Sequence, residues 1–408
     1  MEIIKRRRKI QMRSRSLVFS ITFLLAICLV TSCKKSHWQG SIEVVDGVSV
    51  IKNPMFPANK DKSPLKFEES FIIDFERDDL VNVGITEVLN FDVDSQGNIY
   101  ILVTRTSENW IYKFNSSGTY ISAFGRQGQG PGEIKNPYML RINNKNEILV
   151  SERTRSRLII YNSMGDLIKE IPLAPNHEMA TLLENGLIFA MEANFYPDEG
   201  VTQMPIVLCS PKLKTLTMLH PGYKIPNWVR AKKINGLRTN INWFPWSLSD
   251  KNIYIGNEDN GYELLVYDLT GTLMKKIQKE YTPVPVPESV KKDVLDDILR
   301  PELEQFKIKD KIYFPKNMYP FQYFVADDKG MLYVMTYEKG ENPGEYLFDI
   351  FDSNGIFAGR TRLDNSGNET TAKWGGPFQV KVKNDLIYSL RKKESGYQEL
   401  IVYKFLKN

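Results

Sequence analysis

Three arginines, Arg153, Arg155 and Arg157, fall within five residues of this chain. Guanidinium groups pair with carboxylates and phosphates through forked hydrogen bonds, so the run is a candidate anion seat. A solvated charged loop is the alternative. A second set is aromatic. The pairs Pro137-Tyr138, Pro245-Trp246, Pro320-Phe321 and Pro377-Phe378 recur along the chain, with Trp243, Phe244, Tyr319 and Trp374 beside them. Rings gathered at one opening would stack a flat or sugar-like ligand. The alternative is that each proline sets a turn and each ring packs internally.

The missing chemistry narrows the field. Beyond residue 33 the histidines are His37, His177 and His220, with no HxxxH or HExxH spacing, which argues against a His-rich metal site. No GxSxG elbow is present. The Gly125–Gly132 run lacks the GK[ST] of a phosphate loop, and Asp327-Asp328-Lys329-Gly330 suits a hairpin turn better than a calcium loop. Cys209 lies in the apolar run Ile206-Val207-Leu208-Cys209 and is expected in the core, with a reactive thiol as the lesser alternative. Neither a metal nor a cofactor is expected.

These residues must be positioned by a repeat. An apolar pair recurs as Ile99-Tyr100, Ile148-Leu149, Ile188-Phe189, Ile253-Tyr254, Leu332-Tyr333 and Ile387-Tyr388. A polar turn precedes each, such as Asp94-Ser95-Gln96-Gly97 or Asn143-Asn144-Lys145-Asn146, and a short apolar alternation precedes the turn. That pattern is a β-hairpin. A third strand follows, as in Leu158-Ile159-Ile160-Tyr161, and four of the six third strands run into a turn at Gly118, Gly165, Gly271 or Gly355. A fourth strand leaves each turn. Four antiparallel strands repeated radially make a β-propeller, so the fold class expected is all-β, with six four-stranded blades.

Equivalent positions in the six copies are 49, 40, 65, 79 and 55 residues apart. A bare blade needs about 40–50 residues, so the long gaps hold insertions. One insertion, Glu288 to Arg300, spaces Val290, Val294, Leu295, Ile298 and Leu299 along one helical face, between Pro287 and Pro301. The sixth copy stops after its third strand, and the segment from Leu65 to Asp74 is expected to complete it. In this geometry the long loops share one face and the short Asp/Gly turns the other, which favours a binding site on the long-loop face.

The chain carries 54 Lys and Arg against 49 Asp and Glu, but residues 1–32 hold seven of the bases and one acid. The remainder is close to neutral, which argues against a nucleic-acid partner. The basic start, the uncharged apolar stretch Leu17–Val30 and the exit Val30-Thr31-Ser32-Cys33 form a secretory signal plan. Ending on a cysteine, it resembles the lipobox of bacterial lipoproteins, which implies a lipidated Cys33 at the start of the mature chain. The stretch is shorter than the roughly 20 residues of a membrane span. Lys34-Lys35-Ser36 follow, without the acidic residues that accompany surface export in such lipoproteins. The resemblance therefore implies a membrane-anchored, periplasm-facing protein.

A second resemblance covers nearly all the mature chain. Phe124-Gly125-Arg126-Gln127-Gly128-Gln129-Gly130-Pro131-Gly132-Glu133, Pro137, Ile148–Glu152 and Arg157–Tyr161 resemble an NHL repeat. The whole is similar to bacterial six-bladed β-propeller lipoproteins related to NHL proteins. The third copy departs most, carrying Cys209-Ser210-Pro211 where the others approach their glycine turn. The expected layout is a signal peptide over 1–32, a tether and hairpin over 33–64 that turns at Asp46-Gly47, and a propeller over 65–408. The expected function is non-catalytic binding of a glycan, peptide or protein, with Trp243, Trp246, Trp374, Tyr319, Tyr138, Arg153, Arg155 and Arg157 as candidate contacts. A metal-dependent lactonase- or lyase-like enzyme and a scaffold in an envelope complex are the alternatives.

Overall fold

The computed structural model describes residues 38–57, 66–85, 87–106, 108–226, 237–238, 245–257, 260–298, 312–342, 344–364 and 380–406. Six antiparallel sheets follow one another along the chain. Blade 1 comprises Val88–Val93, Ile99–Val103, Asn109–Phe114 and Tyr120–Arg126; blade 2 comprises Pro137–Ile142, Ile148–Glu152, Arg157–Tyr161 and Leu167–Pro172. Blade 3 is built from His177–Leu182, Ile188–Glu192, Ile206–Cys209 and Thr215–His220, and blade 4 from Trp246–Leu248, Asn252–Gly256, Glu263–Asp268 and Leu273–Lys279. Blade 5 spans Tyr323–Ala326, Leu332–Lys339, Glu345–Phe351 and Phe357–Asp364. Blade 6 takes Val380–Lys383, Leu386–Lys392 and Gln398–Leu406 from the C-terminal end, and Lys66–Asp74 as its fourth strand. The first strand of blade 6 contacts that of blade 1, which closes the ring.

The polar turns recur because their side chains replace backbone partners. Asp94 Oδ1 accepts from the amides of Gln96 and Asn98, Asn143 Oδ1 from those of Lys145 and Glu147, and Asp327 Oδ1 from those of Lys329 and Met331. This is the Asx-turn, in which a short carboxylate or amide caps its own loop. Blades are then stitched across the ring. Asn90 exchanges two bonds with the Leu140 backbone, Asp92 Oδ2 accepts the Ile142 amide at 2.8 Å, and Ser247 Oγ accepts the Ala326 amide at 3.1 Å.

The glycine turns also join blades. Gly118, Gly165, Gly271 and Gly355 all have φ between +81° and +92°, and a Cβ on any of them would meet the outer part of the preceding blade. Gly165 faces Phe124, and Gly118 faces Phe71 and Ile73 of the closing strand. In blade 3 the equivalent residue is Leu213, which adopts φ +62° and makes the same amide bond back to Ser210.

The hairpin of Ser41–Val45 and Val48–Asn53 turns at Asp46 and Gly47, both at positive φ. It pairs onto the outside of blade 4, Val48–Asn53 running parallel to Leu273–Lys279, to make a six-stranded sheet. Blade 3 carries an extra sheet of Asn194–Tyr196, Val201–Gln203 and Lys224–Pro226. The helix runs over Glu288–Ile298, and its Val290 packs on Val286, Met318 and Tyr319. A short helix, Asp78–Asn82, has no counterpart in the sequence reading. Among the described residues no helix is long and apolar enough to cross a membrane.

Candidate functional site

The first strands of the blades end around a funnel that encloses about 90 Å³. Its wall includes Asp92 of blade 1, Arg141 of blade 2, Trp246 and Ser247 of blade 4, Ala326 of blade 5 and Lys381 of blade 6. The exposed Asp250 and Asp328 lie at its edge with Lys383. The Asp92 carboxylate is occupied by the Ile142 and Val93 amides, at 2.8 and 2.9 Å, and stands 3.9 Å from Lys381 Nζ. Arg141 Nη1 is shut from solvent and reaches no partner among the described residues. Burial pushes the Lys381 ammonium below the usual lysine range; Asp92 opposes this, while Arg141 and Lys383 add to it. Two cations thus face two buried carboxylates, Asp92 and Asp327, and Asp327 too is already bonded, to the Lys329 and Met331 amides.

The funnel lies where the short turns sit, not at the long loops. Its sequence signals are charges inside apolar first strands, in Met139-Leu140-Arg141-Ile142 and Val380-Lys381-Val382-Lys383. In a strand, alternate residues point the same way, so Lys381 and Lys383 share one face.

Of the described residues picked out from sequence, Tyr138 and Arg153 meet, while Trp246, Tyr319 and Arg157 are held by packing of their own. Trp246 is 7 % exposed and packs 4.8 Å from Phe189, with an edge on the funnel wall. Tyr319 is 4 % exposed and stacks on Tyr223 at 5.7 Å. Tyr138 lies under the Arg153 guanidinium at 5.3 Å, and Arg153 pairs with Glu178 at 2.7 Å. Arg157 is buried, bonded to Glu152 at 2.8 Å, Glu170 at 2.5 Å and the Glu133 carbonyl. Arg155 is half-buried, and its charge helps to lower the Glu133 and Glu170 carboxyls. For Trp246, Tyr319 and Arg157 internal packing wins, because each sits where neighbouring strands bury it. Cys33, Trp243 and Trp374 lie outside the described residues.

Two further clusters were not legible in sequence. Between blades 4 and 5, Asp349 accepts from Tyr262 at 2.9 Å and Arg360 at 2.7 Å, and Lys279 Nζ stands 3.3 Å away. Arg360 also forks onto Glu338. Burial raises the Tyr262 hydroxyl well above its usual range, with Asp349 adding to it, and lowers Lys279 against the pull of Asp349. In blade 3, His177, Glu192 and Cys209 bring one ligand atom each to within 4.8 Å of one another. Cys209 is fully buried, as its apolar run predicts.

Comparison with known proteins bears on the fold. Residues 70–219 match the model of the family DUF5128, described as a 6-bladed beta-propeller. The chain is a six-bladed β-propeller. A solved member of the DUF4221 family from Bacteroides vulgatus is similar at 12% identity and a TM-score of 0.50, covering 84% of this chain and 99% of that one. A Bacteroides fragilis protein described as exported gives 14% identity and a TM-score of 0.49, with 88% and 100% covered. A virginiamycin B lyase from Staphylococcus aureus gives 11% and 0.39, with 84% and 100% covered. No curated protein matches the sequence.

On this propeller the funnel combines cationic donors with a cavity of about 90 Å³. The blade 4–5 network lines a smaller cavity, of about 20 Å³, and its charges pair with one another.

Proposed function

We propose that this propeller is a lipid-anchored, periplasm-facing binding module without catalytic activity, and that its ligand inserts a carboxylate into the axial funnel. The observation that carries the reading is the pair Arg141 and Lys381, facing a cavity whose two buried carboxylates, Asp92 and Asp327, are already bonded to backbone amides. The Arg141 guanidinium and the Lys381 ammonium are the cationic groups of the lining that an incoming carboxylate would pair with. On this reading the ligand is an acid-tipped molecule, such as a peptide C-terminus or an acidic glycan end.

The anchor rests on the signal plan and on Cys33, with Lys34 and Lys35 directly after it. More than one acyl chain gives a stable anchor, since each buried methylene contributes about 0.8 kcal/mol.

The test is calorimetric titration of the full-length protein in detergent with short peptides, free or amidated at the C-terminus, and with acidic or neutral oligosaccharides. Binding should require the free carboxylate and weaken at least tenfold in Arg141→Gln and in Lys381→Gln. Equal binding of amidated or neutral ligands would sink the funnel reading. Cys33→Ser should move the protein from the membrane to the soluble fraction, and retention there would sink the anchor.

A further inference from the structure

His177 opens the first strand of blade 3, Glu192 closes the second and Cys209 closes the third. His177 Nε2 is 3.8 Å from Cys209 Sγ and 4.0 Å from Glu192 Oε1. Both atoms approach the same ring nitrogen. A nucleophilic thiol relay needs the opposite arrangement, with the imidazole taking the thiol proton at one nitrogen and meeting its orienting carboxylate at the other. Here Nδ1 reaches no partner among the described residues. The three atoms converge on a point instead of forming a chain.

That point has the dimensions of a metal. With separations of 3.8 and 4.0 Å and none above 4.8 Å, a position equidistant from the three lies about 2.5 Å from each at most, against the roughly 2.0–2.3 Å of zinc ligation. A contraction of a few tenths of an ångström completes the shell. One imidazole, one thiolate and one carboxylate suit a borderline divalent cation such as Zn²⁺ and are a poor set for Ca²⁺ or Mg²⁺, which take oxygen ligands.

We propose that His177 Nε2, Glu192 Oε1 and Cys209 Sγ form a binding site for one Zn²⁺-like divalent cation in blade 3. The carboxylate is already oriented: Thr215 Oγ1 donates to Glu192 Oε1 at 2.9 Å, and Asn194 Nδ2 donates to Oε2 at 3.2 Å. Outer contacts of this kind fix ligands for a metal. Glu192 keeps 15 % of its side chain exposed while His177 keeps 2 % and Cys209 is fully buried, so the cation enters past the carboxylate. Burial holds the imidazole neutral, with Glu192 opposing, and raises the Cys209 thiol. The ion must therefore displace the thiol proton: the S–H bond breaks, the metal–sulfur bond forms and the proton passes to solvent. Three protein ligands leave a fourth position for a water or an added ligand.

The experiment is titration of chelator-stripped, full-length protein in detergent with Co²⁺. Thiolate-to-cobalt charge-transfer absorption should appear, saturate at one equivalent and vanish on adding Zn²⁺. Cys209→Ser should abolish the band, and Glu192→Gln should weaken binding at least tenfold. Absence of the band in folded protein overturns the site. So does a band that survives in Cys209→Ser, since Cys28 and Cys33 are the other thiols of the chain. If Cys209→Ser fails to fold, His177→Gln decides: an unchanged Co²⁺ affinity overturns the proposal, and a tenfold loss supports it.

Discussion

Lys279 Nζ lies 3.3 Å from Asp349 Oδ2, with 1 % and 0 % of the two side chains exposed, and the pair joins the last strand of blade 4 to the third strand of blade 5. The Lys279 ammonium also sits 4.8 Å from the Phe357 ring and 5.2 Å from the Tyr262 ring. The two partners are not equivalent. Asp349 is shared by Lys279, Arg360 and Tyr262, so its loss takes a carboxylate partner from all three, although Arg360 keeps Glu338. Asp349→Asn should cost about 3–5 kcal/mol, the usual penalty for breaking a buried pair. Lys279→Met should cost less, because Asp349 keeps Arg360 and Tyr262. Urea unfolding of both variants gives the order, and an equal or reversed cost would refute this account of the network.

The glycine turns separate two costs. Gly165 and Gly396 have nearly the same backbone, at φ +92° and +90°. A Cβ on Gly165 would fall 2.6 Å from Phe124 of the preceding blade, whereas one on Gly396 meets nothing within 4 Å. Gly396→Ala should therefore show only the strain of a left-handed residue, about 1 kcal/mol. Gly165→Ala should add the cost of moving Phe124 and lose about 2–3 kcal/mol in all. Equal midpoints in a denaturant titration would mean that the blade contact is slack.

Those turns also show why the fold was legible and the site was not. Period-two apolar strands, Asx-turns and positive-φ glycines are local features, and each blade repeats them. The closing strand was legible for the same reason: the sixth copy lacks a strand and Leu65–Asp74 can supply one. Blade 3 shows the limit, since Leu213 does the work of glycine without a sequence signal. The funnel needs Arg141 and Lys381, which are 240 residues apart in the chain and meet only because the ring closes. His177, Glu192 and Cys209 have no motif spacing, and only the sheet and its side-chain directions bring them together. The aromatic residues were ambiguous, because a ring after a proline suits an opening and a blade interface equally well.

Trp246 tests that last point. It packs on Phe189 and belongs to the apolar cluster between blades 3 and 4. Trp246→Ala should cost about 3–5 kcal/mol, as for other large core rings cut to a methyl. Trp246→Phe should restore much of the stability, whereas a ring serving only to stack a ligand would leave the melting temperature unmoved in both variants. An unchanged melting temperature in Trp246→Ala would return the residue to the list of ligand contacts.

The ring is clasped by charges whose strength depends on pH. Lys393 of blade 6 pairs with Asp74 at 3.0 Å and with Glu76 at 2.5 Å, at the end of the closing strand Lys66–Asp74. Burial pulls the Asp74 carboxyl upward, but the Glu76 amide and the Lys393 ammonium outweigh it and hold it below the usual carboxylate range. Lys393, helped by the Ser395 hydroxyl, also lowers Glu76, and both carboxylates raise Lys393. Carboxyls lowered in the folded state contribute stability that is complete above their unfolded values, near pH 4. That contribution is lost as pH falls through the lower folded values. Amide exchange over residues 66–74 should therefore be faster in Lys393→Met than in the parent at pH 7, and the two should converge at pH 3, where both carboxyls are largely neutral. A difference that persists undiminished at pH 3 would mean that Lys393 holds the strand by packing its methylene stem and not by charge.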